Sequence, residues 1–440
     1  MMAQYRRYEQ YKDSGVEWIG TMPEGWGIRR LKLGVNLRNQ KVIDDNDLTY
    51  LGLENVESMT GKIIEDESLG EDHIVEGTSN KFYKGDVLFG KLRPYLAKCT
   101  VAQFDGKCTT ELLVIRSKSR EIYNRYLFYL MISSPFIDLV NSSTYGSKMP
   151  RANWEFIGNQ FIPCVGIEEQ IQIANFLDQK TAEIDSLIAD KEKLIALLEE
   201  QRQAIITEAV TKGLNPDVKM KDSGVEWIGE IPEHWHIRKV KYLSDILRGK
   251  FSHRPRNDPS LYDGEYPFIQ TGDVASAGKF LVEYSQTLNE QGFAVSKMFP
   301  KGTLVMTIAA NIGDLSILNF EACFPDSIVG FVPKRQIDLN YLYYNLTAMK
   351  KEFLRTSTVN TQMNLNVERI GGLLTCCPPY DEQVAIAEYL DERVLEIDKL
   401  QEEISLQIDR IQEYRQSIIF EAVTGKIDVR DMVVEVTVIA

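Results

Sequence analysis

Histidine is scarce in this chain, with only His73, His234, His236 and His253 among 440 residues. Only His234 and His236 are close, and no second ligand cluster accompanies them, so no metal site is expected. The six cysteines, Cys99, Cys108, Cys164, Cys323, Cys376 and Cys377, form no C-x-x-C pair. They suggest neither a zinc motif nor a disulfide-stapled secreted protein. No apolar run approaches the roughly 20 residues that a membrane-spanning helix needs. The opening residues, MMAQYRRYEQYKDSG, carry no apolar segment of the signal-peptide kind. A cytoplasmic location without a membrane partner is therefore expected.

Catalytic motifs are missing too. There is no G-x-x-x-x-G-K-[ST] loop, so the chain is not itself a P-loop motor. Pro325-Asp326-Ser327 lacks the nearby acidic-x-Lys of a nuclease core, and no Ser/His/Asp grouping stands out. Pro378-Pro379-Tyr380 resembles part of the Asn/Asp-Pro-Pro-Tyr motif of adenine amino-methyltransferases, but Cys377 replaces the polar residue. No glycine-rich loop for a methyl donor accompanies it. Its prolines read instead as the start of a following helix. No catalytic residue is assigned. Positive charge is also in deficit: 50 Lys and Arg face 64 Asp and Glu, for a net charge of −14. That excludes a uniformly basic nucleic-acid binder, but not local basic loops or partner subunits that hold the DNA.

What the chain does have is a duplication. Its length calls for two or more domains. KDSGVEWIG occurs at Lys12–Gly20 and again, letter for letter, at Lys221–Gly229. MPEGWGIRRLK then aligns with IPEHWHIRKVK, matching Pro23, Trp26, Ile28 and Arg29 to Pro232, Trp235, Ile237 and Arg238. A second shared block begins at Glu168 and at Asp381 and ends in RQAIITEAVT and RQSIIFEAVT. Similarity fades between the blocks. The order is therefore variable unit, shared segment, variable unit, shared segment: one frame carrying two different readers. Trp18, Trp26, Trp227 and Trp235 are expected to be packing anchors that seat each reader on the frame.

Every seventh residue of the first shared segment gives Leu177, Ile184, Lys191, Leu198 and Ile205, interleaved with Ala174, Thr181, Ile188, Ile195, Arg202 and Ala209. The second segment gives Leu390, Ile397, Ile404, Ile411 and Ile418, interleaved with Ala387, Val394, Gln401, Ile408, Arg415 and Ala422. Alternating steps of three and four mark a coiled-coil seam. Each segment is roughly 40 residues, about 60 Å of helix. Such a helix needs a partner for its stripe, and an antiparallel pairing with the other is the natural one. Glycines in TKGLNPD and TGKIDVRD mark the helix ends.

The variable units read as mixed α/β. DVLFG, TVAQF, ELLVIRS, TLVMTIA and SIVGFVP look like strands, and EIYNRYLFYLMIS and LNYLYYNLTAMKKEFLR like helices. YLGLENV and YPFIQTGDV sit at matching places. Basic and amide residues gather in candidate loops. In the first unit these are Lys91, Arg93, Lys98, Lys148 and Arg151. In the second they are Lys250, His253, Arg254, Arg256, Gln362 and Asn364. Arg and Lys suit phosphates or guanine edges, and Asn and Gln suit adenine. The same loops would equally serve as solvated turns.

The twice-used opening phrase, the P-x-x-W that follows it, the Glu-Gln helix start and the RQxIIxEAVT helix end closely resemble the specificity subunits of type I restriction-modification systems. The resemblance covers nearly the whole chain. It implies an α/β (α+β) fold with two pseudo-two-fold-related target-recognition domains joined by two long helices in an antiparallel coiled coil. The divisions expected are 1–165 for the first recognition domain, 166–213 for the central helix, 214–378 for the second domain, 379–427 for the C-terminal helix and 428–440 for a tail. Pairing would rest on Leu177, Ile184, Ile188, Ile195, Leu198, Ile205, Leu390, Ile397, Ile404, Ile408, Ile411 and Ile418.

The resemblance further implies double-stranded DNA, two modification (methyltransferase) subunits and restriction (motor-nuclease) subunits as partners. S-adenosylmethionine, ATP and Mg2+ would sit on those partners, with no cofactor on this chain. Two different readers imply an asymmetric target split into halves about one helical turn apart. The competing readings are a coiled-coil scaffold whose globular units bind protein, and a fused restriction enzyme, against which the missing catalytic motifs weigh.

Overall fold

The computed structural model describes residues 5–43, 48–64, 78–118, 121–146, 148–253, 255–309, 311–356, 365–430 and 432. Contacts divide the chain into two compact units, Met1–Glu192 with Ser405–Ala440, and Lys193–Ile404. The fold is mixed helix and strand. Its longest elements are two helices, Ile167–Lys212 and Tyr380–Val423, and each contributes one half to each unit.

In the first unit, among the described residues, one antiparallel sheet runs Val35–Arg38, Leu112–Ser117, Val87–Gly90, Cys99–Val101. The central strands are apolar runs because both faces are covered. A second sheet runs Lys41–Ile43, Thr78–Phe82, Gly106–Cys108, Tyr50–Leu51, with its last pair parallel. Tyr126, Phe128, Tyr129 and Phe136, from the helices Asn124–Ile132 and Ser134–Ser142, fill the core with Ile173 and Leu177 of the first long helix and Ile418, Ile419 and Val423 of the second.

The second unit repeats this plan. Ser244–Arg248, Ile328–Pro333, Leu304–Thr307, Leu315–Leu318 and Phe280–Leu281 form one sheet. Gln286–Leu288, Tyr262–Phe268, Ala322–Cys323 and Met298–Phe299 form another. YLGLENV and YPFIQTGDV, expected at matching places, begin in or overlap Tyr50–Leu51 and Tyr262–Phe268, which both make a parallel pair in their sheets. The helix expected over LNYLYYNLTAMKKEFLR is two helices, Leu339–Ala348 and Lys350–Thr356, divided at the buried Met349.

The long helices pair antiparallel. In the first unit Lys191 Nζ donates to Gln407 Oε1 at 2.7 Å and Arg415 Nε to Asp185 at 2.8 Å. In the second, Arg202 donates to Asp398 and to Gln401 Oε1, and Gln401 Nε2 donates to the Ile195 carbonyl at 3.3 Å. Numbers rise along one helix as they fall along the other. Thus Lys191, Arg202, Gln401 and Arg415, the main polar breaks in the heptad series, find partners on the opposite helix. Polar seam residues of this kind fix register. Leu177, Ile184, Leu390, Ile397, Ile404, Ile408 and Ile418 are buried, and Ile188, Ile195, Leu198, Ile205 and Ile411 are half-buried.

Candidate nucleic-acid interface

The duplicated phrase forms the same turn twice. Ser14 N–H donates to the Gly20 carbonyl and Ser223 N–H to that of Gly229, each at 3.0 Å. Asp13 accepts from Gly15 N–H, and Asp222 from Gly224 N–H. The turn aims an indole at the strand that leads into the long helix. Trp18 Nε1 donates to the Phe161 carbonyl, and Trp227 Nε1 to that of Leu374. The strands Phe161–Cys164 and Leu374–Cys377 pair with Gly27–Arg30 and His236–Lys239.

The second tryptophan of each copy joins the two helices. Trp26 Nε1 donates to Glu169 at 3.3 Å, in the first turn of the first helix, and Trp235 Nε1 donates to Glu382 at 2.9 Å, in the first turn of the second. Each ring also lies against the glycine that ends the opposite helix. A Cβ on Gly425 would stand 3.0 Å from Trp26, and one on Gly213 would stand 3.1 Å from Trp235. Both glycines have φ near +74°, so helix termination and close ring contact each require glycine there.

Further junctions recur. Gln170 accepts from Tyr123 N–H and donates to the Glu121 and Val165 carbonyls. Gln383 accepts from Asp338 N–H and donates to the Gln336 and Pro378 carbonyls. Asp178 accepts from Arg125 and Tyr129, and Asp391 from Tyr344 and Lys279. Burial pushes the Tyr129 and Tyr344 phenols above their ordinary value. These side chains keep each reader at a fixed pose on its helices.

The first reader then brings its two basic loops together. Leu92 and Arg151 form a bridge, Arg93 N–H donates to the Pro150 carbonyl at 2.8 Å, and Ala152 N–H donates to that of Lys91 at 2.9 Å. Arg93 and Lys148 are exposed beside Tyr95, Tyr145 and Met149, and Lys91 is half-buried. Arg151 is held by Glu111 at 3.2 Å, and Lys98 Nζ donates to the Leu53 carbonyl at 2.7 Å. The expected cluster is assembled, with two of its cations engaged inside the protein.

The first basic loop has a spatial counterpart in the second reader. It is the connection between Leu304–Thr307 and Leu315–Leu318, because Leu365 N–H donates to the Ile308 carbonyl as Ala152 does to that of Lys91. This connection carries the exposed Asn311 and no cation, so a scan for basic loops passes over it. In the Arg248 loop, Arg256 pairs with Asp326, and His253 meets Asp258 at 3.1 Å. Ser260 and His253 hold the Asp258 carboxyl below its ordinary range. Lys250 is exposed. Arg254, Gln362 and Asn364 lie outside the described residues.

The sequence matches the family described as the type I restriction modification DNA specificity domain over residues 23–196 and again over 232–410. The chain belongs to that family. Among curated relatives, the type I restriction enzyme MjaVIII specificity subunit of Methanocaldococcus jannaschii is 26% identical over 74% of this chain and 76% of its own length. The EcoDI specificity subunit of Escherichia coli is 26% identical over 43% of each. A chain solved to explain complex assembly and conformational transition of the type I R-M system shares the fold, with a TM-score of 0.71, 19% identity, and coverage of 92% of this chain and 99% of that one. This specificity-family chain thus carries two copies of the DNA specificity domain, each on its own stretch of paired helix.

Apolar surface remains on the paired helices. In the first unit Leu187 and Leu406 are exposed, and in the second Leu194, Leu197, Leu395 and Leu400 are. Leu187 and Leu400 occupy matching positions of the duplicated segments. Among the described residues no group of three His, Cys, Asp or Glu could hold a metal ion, and no helix is long and apolar enough to cross a membrane.

Proposed function

We propose that this chain is the non-catalytic subunit that gives a type I restriction-modification complex its DNA sequence specificity. Each reader contacts one half of an asymmetric split target, and the paired helices set the spacer between the halves. The observation that carries this reading is the contrast between junctions and loops. The tryptophan, glutamine and aspartate contacts recur in both units, while the exposed loops differ between Arg93 and Asn311. A common frame with two unlike readers fits a target with unlike halves.

The exposed leucines suit docking of two modification subunits, since apolar side chains on a paired helix lose water when a partner covers them. Those subunits carry S-adenosylmethionine and methylate adenine at N6. Restriction subunits carrying ATP and Mg2+ cut unmodified DNA. The complex works in the cytoplasm, where its DNA lies. The net charge of −14 is compatible with this, because partners supply much of the phosphate-neutralising charge.

The test is co-expression of the chain with its modification partner, followed by mapping of N6-methyladenine in host DNA. A methylated split motif that disappears when this chain is omitted is the expected result. Methylation without a motif, or none at all, would leave a protein-binding scaffold as the better reading.

A further inference from the structure

The strongest unexplained feature of the first reader is the backbone at Arg93. It lies in the left-handed region, φ 49° and ψ 63°, and Ala97 does the same at φ 45° and ψ 42°, on either side of the short turn Pro94–Leu96. Few non-glycine residues adopt this conformation, and clustered outliers occur where a loop must present a side chain in one way. Pro94 favours extended backbone for the residue before it, so the left-handed turn at Arg93 is imposed by its surroundings. The bond from Arg93 N–H to the Pro150 carbonyl and the Leu92–Arg151 bridge hold that turn against the neighbouring loop.

The side chain carried by this braced turn points to no partner among the described residues. Arg93 is exposed, and among the described residues no hydrogen bond or ion pair occupies its guanidinium. Arg151 beside it is committed to Glu111, and Lys98 to the Leu53 carbonyl. Lys148 is exposed but offers a point charge and no fork. A guanidinium carried on a braced backbone turn, and unpaired among the described residues, matches the two acceptors, O6 and N7, that guanine shows in the major groove. A phosphate contact would not need so constrained a mount.

Resting on the function proposed above, we infer that Arg93 is a specificity-determining residue that reads a guanine in the half-site of the first reader. The surrounding Tyr95, Tyr145 and Lys148 position the backbone and sugar.

The experiment compares N6-methyladenine motifs in cells carrying the full chain with its modification partner, as wild type, Arg93→Ala and Lys148→Ala. Wild type should give a split motif with a fixed G·C pair in at least one half. Arg93→Ala should relax that single position, losing about ten- to a hundredfold in base discrimination, and leave the other half-site unchanged. Lys148→Ala should lower methylation at all sites with the motif intact. If Arg93→Ala proves less stable in a melting measurement, Arg93→Gln serves in its place, with adenine now preferred at the same position.

An Arg93→Ala motif identical to wild type overturns the inference, whether methylation is weakened everywhere or unchanged. So does a wild-type motif with no G·C pair in either half, which leaves the proposed function standing. Absence of any split motif in wild type overturns both.

Discussion

Arg415 of the second long helix donates from Nε to the Asp185 carboxylate of the first at 2.8 Å, with both side chains largely removed from water. The same guanidinium donates from Nη1 to the Met59 carbonyl at 3.0 Å, in a reader loop where Met59 has φ 66°. Lys62 of that loop reaches Asp185 at 3.0 Å. The matching pair in the second unit, Arg202 and Asp398, leaves half of the carboxylate side chain exposed. Arg202 bonds there to Gln401 as well. One duplicated ion pair thus clamps a reader loop in the first unit, whereas in the second its described partners lie on the two helices.

That asymmetry predicts unequal mutational costs. Removing one partner of a buried pair strands a charge and costs about 3–5 kcal/mol, whereas an exposed pair contributes about 1 kcal/mol or less. Asp185→Ala, which strands the Arg415 guanidinium, should therefore lower stability far more than Asp398→Ala, after which Arg202 still has Glu199 and Gln401. Denaturant melts of the two variants check this, and equal losses would show that Asp185 and Arg415 are not shielded.

Alkaline pH should destabilise the chain. Burial raises the phenol pKa of Tyr126, Tyr129 and Tyr341 above the ordinary value near 10. In the unfolded chain these groups ionise near pH 10, while in the folded chain they keep their protons. Their contribution is complete below about pH 10 and falls as pH rises towards the folded values. The slope is about 1.4 kcal/mol per pH unit for each group. Calorimetric melts across this range, with phenolate absorbance as a second readout, should show the decline. Tyr126→Phe should make it shallower, and an unchanged slope would contradict the burial argument.

Leu187 and Leu400 should matter for assembly and not for folding. Both are nearly half exposed, and substitution at such positions usually changes stability by no more than about 0.5 kcal/mol. The double variant Leu187→Glu, Leu400→Glu should melt with the wild type yet fail to co-purify with modification subunits. Undiminished co-purification would place docking elsewhere.

The duplicated frame was readable because its determinants are local and repeated. The seam follows from heptads, the helix ends from Gly213 and Gly425, and the seating role of Trp18, Trp26, Trp227 and Trp235 from their place in the shared phrase. Contacts made by common residue types at long range left no such signal. Gln170 and Gln383 stand out only as part of the repeated Glu-Gln helix start, which does not say which carbonyls they bind. The Met59 clamp depends on a loop and a helix more than 350 positions apart. Charge alone does not reveal which loops correspond between the two readers. Charge marked Arg248–Asn257, whereas the position equivalent to the Lys91 loop is set by the Leu365–Ile308 hydrogen bond and contains no cation.

The helix register supports a test of the ruler. The polar cross-link Lys191–Gln407 falls in one unit and Arg202–Asp398 in the other. Seven added residues in the first helix alone would slip one set against the other and bury unlike partners, so either assembly fails or the spacer lengthens. Adding one heptad after Glu192 and another after Ile404 keeps every polar pair in register and extends both helices by about 10.5 Å. At about 3.4 Å per base pair, the unread spacer should grow by roughly three base pairs, with both half-sites unchanged in sequence. Methylation mapping of this double insertion reads the spacer directly. A correctly folded variant that methylates the original spacing would show that the helices do not set it.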